Sequence, residues 1–137
     1  MLKSDGRINN ITRYALWYYK LNSMKKVLVI NDDRDFQFLM KQYLERLGYK
    51  AYTIDDDEPV FRHIETTRPD LIILDIQNER DKKICKTLKE KEKMKDIRLV
   101  LLIDQEKESD LDCKPDAILR KPFEPNQFLD TIRRIRS

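Results

Sequence analysis

Five short apolar runs, each followed by a stretch of helical period, constrain this chain more than any other feature. Residues 26–30, 50–54, 71–74, 97–103 and 117–119 read as strands. Between them apolar side chains recur three and four residues apart. Strands this uniformly apolar are buried on both faces, which is the condition of a parallel sheet covered by helices on either side. Right-handed crossovers leave few topologies, and the reading is a flavodoxin-like, doubly wound five-stranded parallel α/β sheet in the order 2-1-3-4-5.

The helical segments follow the same logic. After the first strand, Phe36, Leu39, Met40, Tyr43, Leu44 and Leu47 form one stripe that Gly48 ends. A second helix starts near Pro59 and buries Val60, Phe61 and Ile64, and a third turns Ile84, Cys85 and Leu88 inward. The last has Pro125 in its first turn and buries Phe128, Leu129, Ile132 and Ile135. Residues 104–115 are polar and leave room for two helical turns at most, so the fourth of the five expected helices is shortened. The Lys/Glu-rich stretch 82–95 reads as a solvated helix face.

Residues 24–137 account for this pattern, and 1–23 stand outside it as an aromatic-rich helical extension with Ile11, Tyr14, Ala15 and Tyr18 on one face. That extension reads either as a helix packing on the domain or a second copy, or as a leader without function ahead of Met24. With 137 residues there is room for one domain. Charged residues make up 39% and apolar ones 40%, so a compact core sits under a heavily ionised surface. The 28 basic and 25 acidic residues nearly cancel, and the balance gives no ground for nucleic-acid binding. No apolar run approaches the roughly 18 residues of a membrane span and no signal-peptide pattern opens the chain, which implies a cytoplasmic protein. Cys85 and Cys113 lack the close spacing of a zinc or redox motif and read as reduced structural thiols.

In an open α/β sheet, ligands bind beyond the carboxyl ends of the strands where the strand order reverses. Those ends here are Asn31-Asp32-Asp33, Asp75, Ile103-Asp104 and Arg120-Lys121-Pro122. Clustered carboxylates repel, so they share a proton or hold a cation, and an oxygen-only donor set favours Mg²⁺. A carboxylate can also attack phosphorus, with a lysine and a metal neutralising the phosphoryl oxygens. Asp32, Asp75 and Lys121 meet that requirement jointly. Taken singly each has an ordinary explanation: a helix cap at Asp32 or Asp33, a loop acid at Asp75, a surface lysine at Lys121.

The segments 26–33 (KVLVINDD), 69–76 (PDLIILDI) and 121–125 (KPFEP) resemble the three signature segments of response-regulator receiver domains of two-component signalling, and the resemblance covers residues 25–136. It implies that Asp75 is the phosphoacceptor, that Asp32 binds Mg²⁺ directly, and that the main-chain carbonyl of Gln77 is a further metal ligand. It also implies that Lys121 contacts the phosphoryl group and that the Lys121-Pro122 bond is cis.

Departures from the family pattern are equally specific. Asn31 replaces the usual first acid and reaches a metal only through water. Ile103 replaces the Ser/Thr whose hydroxyl follows the phosphoryl group, and Ile118 replaces the aromatic that turns inward with it, so both parts of the usual switch are missing. Asp104 replaces a small residue and brings a further negative charge as a pocket modifier. The loop 77–81 is about two residues short and the stretch before the fifth strand about four.

The resulting expectation is a stand-alone atypical receiver, a phosphoacceptor rather than an enzyme, whose catalysis is limited to its own phosphorylation and dephosphorylation. Its implied partners are a sensor histidine kinase or phosphotransfer protein, a downstream protein and, as a further option, a second copy; neither nucleic acid nor membrane is contacted directly. The alternative is a phosphorylation-independent pseudo-receiver acting as an interaction module. A hydrolase of similar fold would need an acid/base group, for which Asp104 is the one applicant. His63, on the second helix, reads as structural.

Overall fold

The computed structural model describes residues 25–55, 59–104 and 111–136, together with residues 12, 13 and 15. The expected 1–23 helix therefore lies almost wholly outside the described residues. Five strands, β1 (Lys26–Ile30), β2 (Lys50–Ile54), β3 (Leu71–Asp75), β4 (Arg98–Asp104) and β5 (Ala117–Lys121), form one parallel sheet in the order β2-β1-β3-β4-β5. Four helices are described: α1 (Arg34–Arg46), α2 (Val60–Thr67), α3 (Glu79–Glu90) and α4 (Pro125–Arg136).

Two apolar clusters, one on each face of the sheet, hold the layers together. Leu28, Ile30, Ile72, Leu74, Leu99, Leu101 and Ile103 project toward α2 and α3, where Val60, Ile64, Ile84, Cys85 and Leu88 meet them. Val27, Val29, Leu71, Ile73, Val100 and Leu102 project toward α1 and α4, against Met40, Leu44, Phe128 and Ile132. Strand alternation thus sends the residues of the central strands β1, β3 and β4 to both faces, which is why those runs are so largely apolar.

Local signals fix the helix ends. Asp33 caps α1, its side chain accepting from the Asp35 and Phe36 N–H groups, and Gly48 follows the helix at φ 94°, where a side chain would be strained. Asn78 and Asp81 form a capping box at the start of α3. The Lys121-Pro122 bond is cis, as the resemblance implied.

Two expectations need correction. Leu39 does not join the buried stripe of α1: it is 66% exposed beside Phe38 at 61%, because the stripe that meets the sheet is narrower and centres on Met40 and Leu44. Cys85 and Cys113 are not separate thiols. Their sulfurs are joined, since packing brings the two Cα atoms to 6.0 Å. The shortened helix expected in the β4–β5 connection falls largely on residues 105–110, which lie outside the described residues, and residues 111–116 form only bends.

Phe128 is 1% exposed and packs edge-on against Tyr43 and stacked against Phe123. Phe128→Ala should lower the urea unfolding free energy by about 3–5 kcal/mol. Leu39→Ser, on the solvent side of α1, should change it by no more than about 0.5 kcal/mol in the same titration.

Candidate functional site

The strand order reverses between β1 and β3, and the side chains at their carboxyl ends converge there. Asp75, the last residue of β3, is 6% exposed. A carboxylate so buried requires donors, and it has them on both oxygens. Lys121 Nζ lies 2.7 Å from Oδ1, while Asn31 Nδ2 at 2.7 Å and Gln77 Nε2 at 2.8 Å donate to Oδ2. The donors come from the ends of β1 and β5 and from the loop after β3.

Each donor is itself positioned. Asn31 Oδ1 accepts from the Asp33 N–H at 2.5 Å, which links the pocket to the cap of α1. Gln37 Nε2, one turn into α1, donates to the main-chain oxygen of Asn31 and to Asp55 Oδ1 at 2.8 Å. Lys121 is set by register: it pairs with Asp104 across the β4–β5 ladder, and Asp104 Oδ1 stands 3.7 Å from its Nζ. One ammonium group thus serves two carboxylates.

Below Gln77, Asp81 is 1% exposed and accepts the Gln77 N–H at 2.8 Å and the Asn78 N–H at 3.2 Å. Burial pushes its carboxyl above the ordinary carboxylate range, and the charges of Asp32 and Asp75 add to that push. The two N–H donors pull in the opposite direction without cancelling it.

The sequence-derived positions therefore divide. Asn31, Asp75, Gln77, Asp104 and Lys121 come together at one point, and Asp32 is close enough to act on the same buried carboxyl. Ile103 is 2% exposed and faces the apolar cluster under α2 and α3, so it offers the pocket no polar atom. Ile118 is 41% exposed on β5. His63 is half-buried on α2.

Sequence reasoning missed three contributors. It considered the main chain of Gln77 but not its side chain, and it passed over Asp81 and Gln37. The Asn78-x-x-Asp81 spacing is a capping-box pattern and could have marked Asp81. Nothing in the sequence marks Gln37.

The model of the response regulator receiver domain matches residues 27–133. The chain belongs to that family. The alkaline phosphatase synthesis transcriptional regulatory protein PhoP of Bacillus subtilis is 32% identical over 115 residues, which are 81% of this chain and 48% of the relative. The chain thus spans about half the length of the curated relatives it matches. Among solved structures, the signal receiver domain of a signal transduction histidine kinase from Syntrophus aciditrophicus superposes with a TM-score of 0.74 at 25% identity, covering 81% of this chain and 89% of that one. The chemotaxis response regulator CheY4 of Vibrio cholerae gives 0.69 at 22% identity, covering 82% and 99%, and supports the fold. Receiver domains are in general phosphoacceptors that bind Mg²⁺ at the phosphorylation site and interact with histidine kinases or phosphotransfer proteins.

Asp81 sets a pH dependence for this receiver fold. Its folded-state pKa is raised above the ordinary 3.8, so the folded chain binds the proton more tightly than the unfolded one. Stability from this residue is then greatest below 3.8 and falls as pH rises from there through the raised value. Asp81→Asn should remove that part of the slope in urea titrations run across the acid range. Equal slopes in the two proteins would show that Asp81 titrates as it does when unfolded.

Proposed function

We propose that this receiver accepts a phosphoryl group on Asp75. The observation that carries the reading is the buried Asp75 carboxylate with the Lys121 ammonium 2.7 Å away. A carboxylate oxygen attacks the phosphorus of a phosphohistidine or of a small acyl phosphate, the bond from phosphorus to the donor breaks with its electrons going to the donor, and an aspartyl phosphate remains. Lys121 then exchanges part of its contact with Asp75 for a phosphoryl oxygen. It is the group in the pocket suited to hold the transferred charge on this side.

The donor set fits Mg²⁺ in its chemistry, being all oxygen, with the carboxylates of Asp32 and Asp75 both felt at Asp81. Among the described residues no three acidic, His or Cys side chains already converge as a cation cage. In this reading Asp32, Asp75 and the Gln77 main-chain carbonyl would hold the ion, with Asn31 reaching it through water. Bound there, Mg²⁺ would neutralise phosphoryl oxygens. Asn31 and Gln77 meanwhile hold Asp75 Oδ2 through neutral N–H donors, which orient the carboxylate without competing for its charge.

A sensor kinase or phosphotransfer protein would supply the phosphoryl group in the cytoplasm, and a protein partner or a second copy would receive the signal. With Ile103 buried in the core and Ile118 at the surface, that signal does not use a hydroxyl and an inward-turning aromatic. One observation favours the alternative, a phosphorylation-independent interaction module: Lys121 is already shared with Asp104, whose charge opposes an arriving anion.

Incubation with Mg²⁺ and acetyl phosphate, read by intact mass, should give one phosphoryl adduct that Asp75→Asn abolishes. No adduct under saturating donor would select the interaction module. Asn31→Asp should tighten Mg²⁺ binding roughly tenfold by calorimetry, because it restores a charged oxygen to the donor set. Asp104→Ala should speed labelling, since one ammonium then faces one carboxylate fewer.

A further inference from the structure

The described part of the β4–β5 connection, residues 111–116, lies along α3 and is tied to it three times. Cys113 Sγ is bonded to Cys85 Sγ, Lys86 Nζ is 3.1 Å from Asp112 Oδ2, and Lys89 Nζ is 3.0 Å from Asp116 Oδ2. Leu111 and Cys113 also pack against the apolar cluster that contains Cys85. Ion pairs this exposed contribute little. The covalent link is the strong tie, and it depends on the oxidation state of two sulfurs.

This stretch leads directly into β5, which among the described residues pairs only with β4 and which ends in Lys121. How firmly 111–116 is held therefore bears on the strand that presents Lys121 to Asp75. The two sulfurs are unequal: Cys85 is fully buried, whereas Cys113 is half-buried and is the one a solvent-borne oxidant or thiol reaches.

We propose that Cys85 and Cys113 form a reversible redox clasp that sets how tightly residues 111–121 are held to α3 and β4. A hydroperoxide oxidises the Cys113 thiol to a sulfenic acid and leaves as an alcohol or water. The Cys85 thiol then displaces water from that sulfur and the disulfide closes. A dithiol reverses the step by exchange, entering as two thiols and leaving as its own disulfide. The clasp does not depend on phosphoryl transfer at Asp75, so the two readings stand or fall separately.

The test uses the full chain, treated with hydrogen peroxide and then with dithiothreitol. Alkylation followed by intact mass should count no free thiol after peroxide and both thiols after dithiothreitol. Hydrogen exchange of peptides from 111–121 should be roughly tenfold faster in the reduced protein, because the closed link restricts opening of that stretch. Cys113→Ser should exchange at the reduced rate under both treatments. It tests the clasp even where Cys85→Ala, at a fully buried position, fails to fold. A bond that resists dithiothreitol in the folded protein would overturn the proposal, as would sulfurs that link only between chains or exchange rates that ignore the oxidation state. Phosphoryl labelling enters none of these measurements.

Discussion

A negative charge at the end of the central strand β3, removed from solvent, is the constraint around which this molecule is arranged. The buried Asp75 carboxylate needs donors, and those donors come from the end of β1, from β5 and from the loop leading to α3. Meeting that demand fixes the relative positions of strand ends that are far apart in sequence. The same demand propagates outward, because Asn31 is held by Asp33 and Gln37, and Gln77 sits on Asp81. The polar network at the strand ends and the apolar layers beneath it are mutually dependent: the layers bring the ends together, and the network compensates the buried charge.

Much of the architecture was legible because β strands buried on two faces leave a largely apolar imprint. The runs at 26–30 and 50–54 match the strands to the residue, and Gly48 and Pro125 mark helix ends through their backbone preferences. Strands β3 and β5 run on to Asp75 and Lys121, past the last apolar residue, since the ladder needs backbone and not side-chain polarity. The helix stripes were less well resolved. Periodicity places Leu39 next to Met40 and Tyr43, but only the packing of α1 on the sheet decides that Leu39 faces water.

The pocket shows the same division. Residues that end strands could be assembled from topology alone, and Asn31, Asp75, Asp104 and Lys121 do meet. Side-chain amides could not, because Gln37 and Gln77 act through reach and direction, which sequence does not encode. The joined Cys85 and Cys113 were illegible for a related reason: spacing along the chain says nothing of where a helix and a later connection touch.

Asn31 and Asp104 together have a consequence for the electric field of the site. Measured against the receiver pattern, one formal charge is missing beside β1 and one is added beside β4, where Asp104 approaches Lys121 to 3.7 Å. The tally is unchanged while its centre has migrated across the sheet. The added charge therefore stands beside the Lys121 ammonium, while a neutral amide takes the place of a charge on the β1 flank.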